Sequence, residues 1–464
     1  MSETKIFAEE KIGKLLFRFS IPIIFAYLIA ELYGIVDTIF IGREVGSFGI
    51  AALVLVFPIQ RIIYAIASMI SIGTSTAFAR LNGEEDVKES RNVLMSGFTL
   101  SYLVMILIVA AVLLFSDKIL LLLGASEAIL PLAKQYLSLI IFGSVFLSMT
   151  LFISNVMYAV GNSKISVTST TIGAMVNILI NFILVTHLGL GVLGAGISTA
   201  ISQLAGFIYA YYHYRKIKKK YKIGFGFKLD KRVIQSILLV GVSALIVDAD
   251  DGLLMAVLNN LLGSTIGDGG IVVLGVVSKV YMFLFIGMIG VAVAMQPIAA
   301  YNIGAKNFKR LKEIMKKTTK YAFLTSVAIW AIMFIFAPQL IGIFVTDNAV
   351  INESVKAFRI MIAAFPLVSI YYVSIYYFQA MGKAKTSLVI SALRQIILMI
   401  PISIILVKGF NLGAMGVWLT YPISDFLASL ASFMLIRNEG LDLNLKLRKQ
   451  QLEREKLAKN LILE

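Results

Sequence analysis

Seven carboxylates and amides stand inside otherwise apolar stretches of this chain: Asp37, Asn155, Asn177, Asn181, Asp248, Asp250 and Asp251. A charged side chain at bilayer depth costs at least ~2.5–3.5 kcal/mol on insertion scales, so it persists mostly where it binds or moves something. A lone carboxylate surrounded by amide and hydroxyl oxygens can hold Na+ or exchange a proton. Other chemistries are excluded by composition. The chain has no cysteine, which rules out disulfides, thiol nucleophiles, iron–sulfur clusters and cysteine zinc sites, and its two histidines, His187 and His213, cannot form a histidine-rich metal centre.

The elements that must position these groups follow from hydropathy. With 59% hydrophobic and 15% charged residues over 464 positions, and a mean hydropathy of +0.89, the chain has too little polar surface to cover a water-soluble globule. Apolar runs near or above the ~20 residues that cross a bilayer recur from Leu15 to Met434. They predict an all-α polytopic membrane protein of twelve helices at 14–42, 47–73, 92–116, 129–159, 164–187, 192–214, 233–263, 270–301, 318–341, 350–380, 386–408 and 412–437. Neither end resembles a cleaved targeting segment, so helix 1 is expected to anchor insertion.

The net charge of +16 is distributed as a topology signal. Most Lys and Arg fall in the N-terminus, in alternate loops such as Arg215-Lys216 and Lys218-Lys219-Lys220, and in the C-terminal tail, which places both termini in the cytoplasm of a cell-membrane protein. No aromatic-interleaved basic module stands outside the apolar runs, so no nucleic-acid partner is expected, whereas anionic lipid headgroups suit the basic face.

The chain also repeats itself. A shift of about 221 residues superposes Ala79 and Gly83 on Ala300 and Gly304, and Ala159-Val160-Gly161 on Ala380-Met381-Gly382. One further residue of offset pairs Gly194 with Gly416 and Ile201-Ser202 with Ile423-Ser424. Two six-helix halves follow, and because six is even the copies should share a pseudo-two-fold axis along the membrane normal. The expected organisation is a cytoplasmic N-terminus at 1–13, an N-lobe at 14–214, a basic linker at 215–232, a C-lobe at 233–437 and an amphipathic tail at 438–464.

Within this frame the polar residues sort by helix. Asp37 lies on helix 1 downstream of Pro22, which removes a backbone donor and gives the helix two plausible shapes. Asn177 and Asn181, four apart on helix 5, share one face. Asn155 on helix 4 and Ser198-Thr199 on helix 6 offer further oxygens, although amides and hydroxyls also simply tie membrane helices together. On helix 7, Asp248, Asp251, Met255 and Asn259 form a stripe at i, i+3, i+7 and i+11, while Asp250 points elsewhere. That stripe is read as a candidate substrate or second ion site, against pairing with Arg61, Lys279 or Arg394 or an aqueous vestibule. Glu31 is a partner for Arg61 or a transport residue, and Asp425 caps or bridges helices.

The sequence resembles the multidrug and toxic compound extrusion (MATE) transporters from Phe17 to about Arg437. The resemblance is carried by Pro22 to Asp37 followed by Thr38-Ile39-Phe40-Ile41-Gly42, by Ala79-Arg80-Leu81-Asn82-Gly83 and Tyr301-Asn302-Ile303-Gly304, by Tyr158-Ala159-Val160-Gly161 with Gln379-Ala380-Met381-Gly382, and by Gly191-Val192-Leu193-Gly194-Ala195. It implies two six-helix lobes around a cleft and export of cationic amphipathic drugs or metabolites against inward Na+ or H+, by a monomer with no other cofactor and no enzymatic activity. It implies coupling-ion binding for Asp37, Asn155, Asn177, Asn181 and Thr199, and bending of helix 1 for Pro22. Where some members carry a second Asp followed by proline on helix 5, this chain has Asn181-Phe182, leaving one carboxylate and both ions open. Two alternatives accompany this expectation. A lipid-linked saccharide flippase of the same superfamily needs basic side chains for diphosphate, and a prenyl-transferring enzyme needs a second Asp-rich cluster besides Asp248 to Asp251, which is absent.

Overall fold

The computed structural model describes residues 6–223, 228–266, 268–345 and 347–463. It is helical, with no strand among the described residues. After a short helix at Ile6–Glu9 come α1 (Ile12–Glu44), α2 (Ser47–Gly83), α3 (Val87–Leu122), α4 (Leu130–Ala159), α5 (Lys164–Asn181, continued as a π-helix at Phe182–His187) and α6 (Gly191–Lys220). The second series is α7 (Lys231–Ile266), α8 (Asp268–Gly304), α9 (Phe308–Ile335), α10 (Asn348–Met361 and Phe365–Ala380), α11 (Ala384–Ala392, continued by π and α turns to Gly409) and α12 (Gly413–Leu463).

Eleven of the described helices are long and apolar enough to cross a membrane, and the two segments of α10, bent by 53° at their junction, make a twelfth if read as one span. The expectation of an unbroken helix at 350–380 is corrected here. Pro366 sits in the first turn of the second segment, where its missing donor is tolerated at a helix start and not in a helix interior.

Other boundaries move outward for a common reason. α2 runs to Gly83 instead of residue 73, α3 begins at Val87 instead of 92, and α9 begins at Phe308 instead of 318. Hydropathy sees only the apolar part of a helix, whereas the polar turns beyond it are held by caps. Asp86 Oδ1 accepts from the Glu89 amide at 2.9 Å, and Asn307 Oδ1 from the Arg310 amide at 3.2 Å. These caps are also repeat-related, since each follows a residue in the left-handed region, Glu85 (φ 59°) and Lys306 (φ 52°). Gly161 (φ 93°) and Gly382 (φ 68°) close α4 and α10 in the same way, a conformation that glycine adopts without the Cβ clash.

Contacts divide the described residues into two compact units, one within 18–82 and 86–252 and the other within 6–17, 83–85 and 253–463. In the first, α4 packs along α6 and α3, and α5 along α6. Gly143 permits the α4–α6 approach, because a Cβ there would stand 2.9 Å from the Ala200 Cα. An apolar core of Ile41, Val56, Met105, Tyr136, Ile140, Val185 and Ala195 fills this bundle.

In the second unit α8 packs against α9 and α10, and α10 against α12. The N-terminal segment belongs to it: buried Phe7 offers its carbonyl to Asn302 Nδ2 at 3.1 Å and Arg310 Nε at 2.7 Å. Residues 438–463 continue α12, and the stretch from Glu439 to Gln450 packs back on this unit. Leu443 is fully buried, Lys312 Nζ donates to Asn444 Oδ1 at 2.7 Å, and Lys383 pairs with buried Glu439.

The segment entering α7 is fixed to α3. Asp230 accepts from Asn92 Nδ2 at 3.0 Å and from the Arg232 and Val233 amides at 3.0 and 3.3 Å, which together hold its carboxyl below the usual range. A depressed carboxyl stabilises the fold above its unfolded pKa of ~3.9, and that contribution disappears as pH falls through the lower folded value. Asp230→Ala should therefore lower the thermal unfolding midpoint of the purified protein at neutral pH, with the gap to the unaltered chain closing in acid below about pH 4.

Candidate functional site

The first unit brings Asp37 into contact with four side chains from three other helices. Its side chain is 3% exposed. Oδ1 accepts from Asn177 Nδ2 at 3.0 Å and Asn181 Nδ2 at 2.6 Å, while Oδ2 accepts from Thr199 Oγ1 at 2.8 Å and, at the limit of hydrogen bonding, from Tyr136 Oη at 3.5 Å. The helical repeat explains why α5 supplies two donors to one oxygen, since positions four apart lie one above the other. A second layer orients them: Asn181 Nδ2 reaches Asn177 Oδ1 at 3.2 Å, Asn177 Nδ2 reaches Ser198 Oγ at 3.3 Å, and Ser198 Oγ donates to the Asn177 carbonyl at 2.9 Å. Asn181 is also the last α-helical residue before the π-helix at Phe182–His187, a local geometry frequent at functional sites.

No Lys or Arg among the described residues pairs with this carboxylate; its partners are neutral dipoles. Neutral donors stabilise a buried charge only partly, so a small cation or a proton at this position removes a desolvation cost that the fold itself does not cancel. The oxygen inventory suits such a guest. Asn181 Oδ1 is buried without a hydrogen-bond partner, and turning either amide by about 180° presents Oδ1 in place of Nδ2.

One expected member of the site, Asn155, has other partners in this structure. Asn155 on α4 donates to Ser71 Oγ at 3.3 Å and to the Leu151 carbonyl at 3.0 Å, not to Asp37. It ties α4 to α2, the helix-tying role that intramembrane amides commonly take. Tyr136, which sequence reasoning missed, carries no spacing signal because its position on α4 becomes meaningful only once α1 is packed beside it. Pro22 lies inside the unbroken α1. It cannot donate to the Arg18 carbonyl one turn earlier, and Ser163 Oγ approaches that carbonyl at 3.5 Å.

Three members of the helix 7 stripe, Asp248, Met255 and Asn259, are described. Asp248, half-buried, falls in the first unit and interacts electrostatically with Tyr64. Met255 and Asn259, both half-buried, fall in the second, where Met255 Sδ accepts from Ser278 Oγ at 3.7 Å. The side chains of Asp250 and Asp251 lie outside the described residues. Of the basic partners proposed for this stripe, Arg61 meets Glu31 at 3.5 Å and Arg394 meets Asp425 at 2.7 Å.

A family model described as MatE matches residues 22–183 and 253–405, once in each half. The chain is similar to the multidrug export protein MepA of Staphylococcus aureus strain NCTC 8325 / PS 47, 25% identical over 431 residues that cover 93% of this chain and 94% of that one. The MepA of Staphylococcus saprophyticus is 24% identical over 439 residues, with the same coverage. In fold it is similar to the outward-facing conformation of a multidrug resistance MATE family transporter, with a TM-score of 0.89 at 23% identity, covering 96% of this chain and 99% of the other. The fold and the family match thus define a multi-pass membrane transporter built of two repeated halves, not an enzyme. The chain belongs to the MatE family.

Thr199→Val keeps the shape of the side chain and deletes the hydroxyl at 2.8 Å from Asp37. A hydrogen bond to a charged group is worth ~1.5–3 kcal/mol, so cation binding by the purified protein should change by about tenfold or more. Asn155→Leu, which spares every contact of Asp37, should change it by less than about threefold.

Proposed function

We propose that this protein exports cationic amphipathic drugs or metabolites in exchange for Na+ or H+ by alternating access, with Asp37 as the coupling carboxylate. The observation that carries this reading is an enclosed carboxylate held by four neutral donors from α4, α5 and α6 and by no cationic side chain among the described residues. The multidrug export activity named for the staphylococcal relatives supports the substrate class.

In the empty state the charged Asp37 draws the donors of α5 and α6 toward α1. An arriving Na+ or proton neutralises the carboxylate and weakens those bonds, since hydrogen bonds to a charged acceptor are roughly twice as strong as neutral ones. α1 is then released to bend at Pro22, where no backbone bond resists, and the altered first unit expels its substrate. Loss of the ion on the opposite side restores the charge and returns the bundle to the state that captures a new cation. Only differential ion affinity between the two states can drive this cycle, and a buried, unpaired carboxylate supplies it. The acids within the apolar spans suit cationic cargo, with Asp248 and Asp251 as members of the candidate substrate or second ion site. In this reading the protein works as a monomer, residues 14–214 and 233–437 are its two lobes, and the basic segment 215–232, the tail 438–464 and both termini face the cytoplasm.

The flippase alternative is weaker on the same observations. Lipid-linked diphosphate needs several unengaged basic groups, whereas of Arg61, Lys279 and Arg394 two, Arg61 and Arg394, each face a carboxylate.

Proteoliposomes loaded with an ethidium-like cation test the reading, with Na+ and pH gradients imposed separately. One of the two gradients should drive efflux, and Asp37→Asn should reduce it to the level of empty vesicles while leaving membrane insertion intact. Full efflux by that variant rejects the proposal. Replacing Asp248 and Asp251 together by Asn should alter the substrate profile; an unchanged profile assigns them to structure.

A further inference from the structure

The second unit contains a buried charge pair that the proposed cycle does not use. Arg394 on α11 and Asp425 on α12 are 2% and 0% exposed, so neither can draw on solvent. Arg394 Nε donates to Asp425 Oδ1 at 2.7 Å and Nη2 to Tyr281 Oη at 2.8 Å. The guanidinium lies over the Phe285 ring, 5.6 Å from its centroid. Tyr281 meets Tyr421 edge-on at 5.3 Å and Phe365 at 6.0 Å, and Phe285 meets Tyr372 at 5.7 Å. A carboxylate beside aromatic faces is the environment that binds organic cations, and here the chain's own guanidinium fills it. The second carboxylate oxygen, Asp425 Oδ2, is buried without a hydrogen-bond partner. The ionisable groups facing the pair are Tyr281 on α8, Tyr372 on α10 and Tyr421 on α12.

The internal repeat supplies an independent observation. The 221-residue shift that aligns Gly42 and Gly49 with Gly263 and Gly270 carries Asp37 onto Leu258, and it carries Asn177 and Asn181 onto Leu398 and Ile402. With the extra residue of offset after α5, Thr199 falls on Tyr421. Leu258 is fully buried. In the second half the positions equivalent to Asp37 and its direct partners thus hold only apolar side chains and one aromatic hydroxyl, with Tyr136 falling on Ala357 and a hydroxyl kept at Thr420 opposite Ser198, while the helices equivalent to α5 and α6 hold an acid together with a base.

We propose that Arg394 is a tethered counter-ion: it occupies the second unit's cation site at Asp425 in place of an exchangeable ion. That unit then contributes no Na+ or proton to the cycle, and removing the guanidinium uncovers Asp425 as an acceptor for a monovalent cation. The consequence for stoichiometry rests on the reading of Asp37 given above, but the occupancy of Asp425 can be tested without transport.

The test is infrared absorption of protonated carboxyl groups in the full-length protein in lipid, titrated over pH with and without Na+, in an Asp37→Asn background. The Asp37→Asn protein should show no titrating band that Asp425→Asn removes. Adding Arg394→Met should create one such carboxyl, abolished by Asp425→Asn, and its suppression by Na+ distinguishes a sodium-accepting site from one that takes only protons; either supports the proposal. A titrating Asp425 band with Arg394 in place, or its absence from a folded Arg394→Met protein, overturns it. Because breaking one side of a buried pair destabilises folding far more than removing both sides, Arg394→Met/Asp425→Leu in the unaltered background is the second arm. Its number of coupling ions per exported cation should equal that of the parent protein, and a changed ratio overturns the proposal. Should Asp37→Asn retain coupled efflux, the proposed function fails while the Asp425 band still reports on this pair.

Discussion

A carboxylate enclosed by an apolar bundle and matched only by neutral dipoles is the constraint around which the first unit is arranged. Asp37 must be approached by α4, α5 and α6 together, because each helix supplies a donor that the others cannot replace. Close helix packing, as at Gly143, permits that convergence. The same convergence makes the site responsive. Four donors aimed at one negative charge change their preferred geometry when that charge is neutralised, and packed helices respond by moving between discrete arrangements instead of deforming gradually.

The two halves share a chain path and differ in electrostatics. Turn geometry is repeated faithfully, with left-handed residues at Glu85 and Lys306 and at Gly161 and Gly382, since backbone sterics allow few ways to end a helix and start the next. Side chains facing the interior are under no such restriction. One half encloses an acid with amides and hydroxyls, and the other encloses an acid with an arginine. A fold built by duplication can in this way hold a responsive charge in one half and a neutralised one in the other.

Much of this was legible in the sequence. The helix count, the repeat and the face shared by Asn177 and Asn181 all follow from periodicities along one chain, and Asp37 stood out because a charge in an apolar run requires a reason. Contacts across helices were less accessible. Thr199 stood out only as one of several helix 6 oxygens, Tyr136 was missed, and the bond from Asn155 to Ser71 on α2 was not foreseen, because hydropathy says that an amide is intramembrane but not which helix it faces. Arg394 was considered as a partner for the helix 7 acids when its carboxylate lay on α12. The break in α10 and the polar extensions of α2, α3 and α9 escaped for a related reason: caps and a helix-starting proline act on the backbone and leave little trace in average hydropathy.

The central claim is that one cation neutralises Asp37 and that this exchange drives the cycle. It is tested most directly by equilibrium binding of Na+ and of protons to the purified, substrate-free protein, comparing the unaltered chain with Asp37→Asn. The account predicts that one saturable monovalent-cation site is present in the first and lost in the second, with the fold retained. Undiminished binding by Asp37→Asn would contradict it.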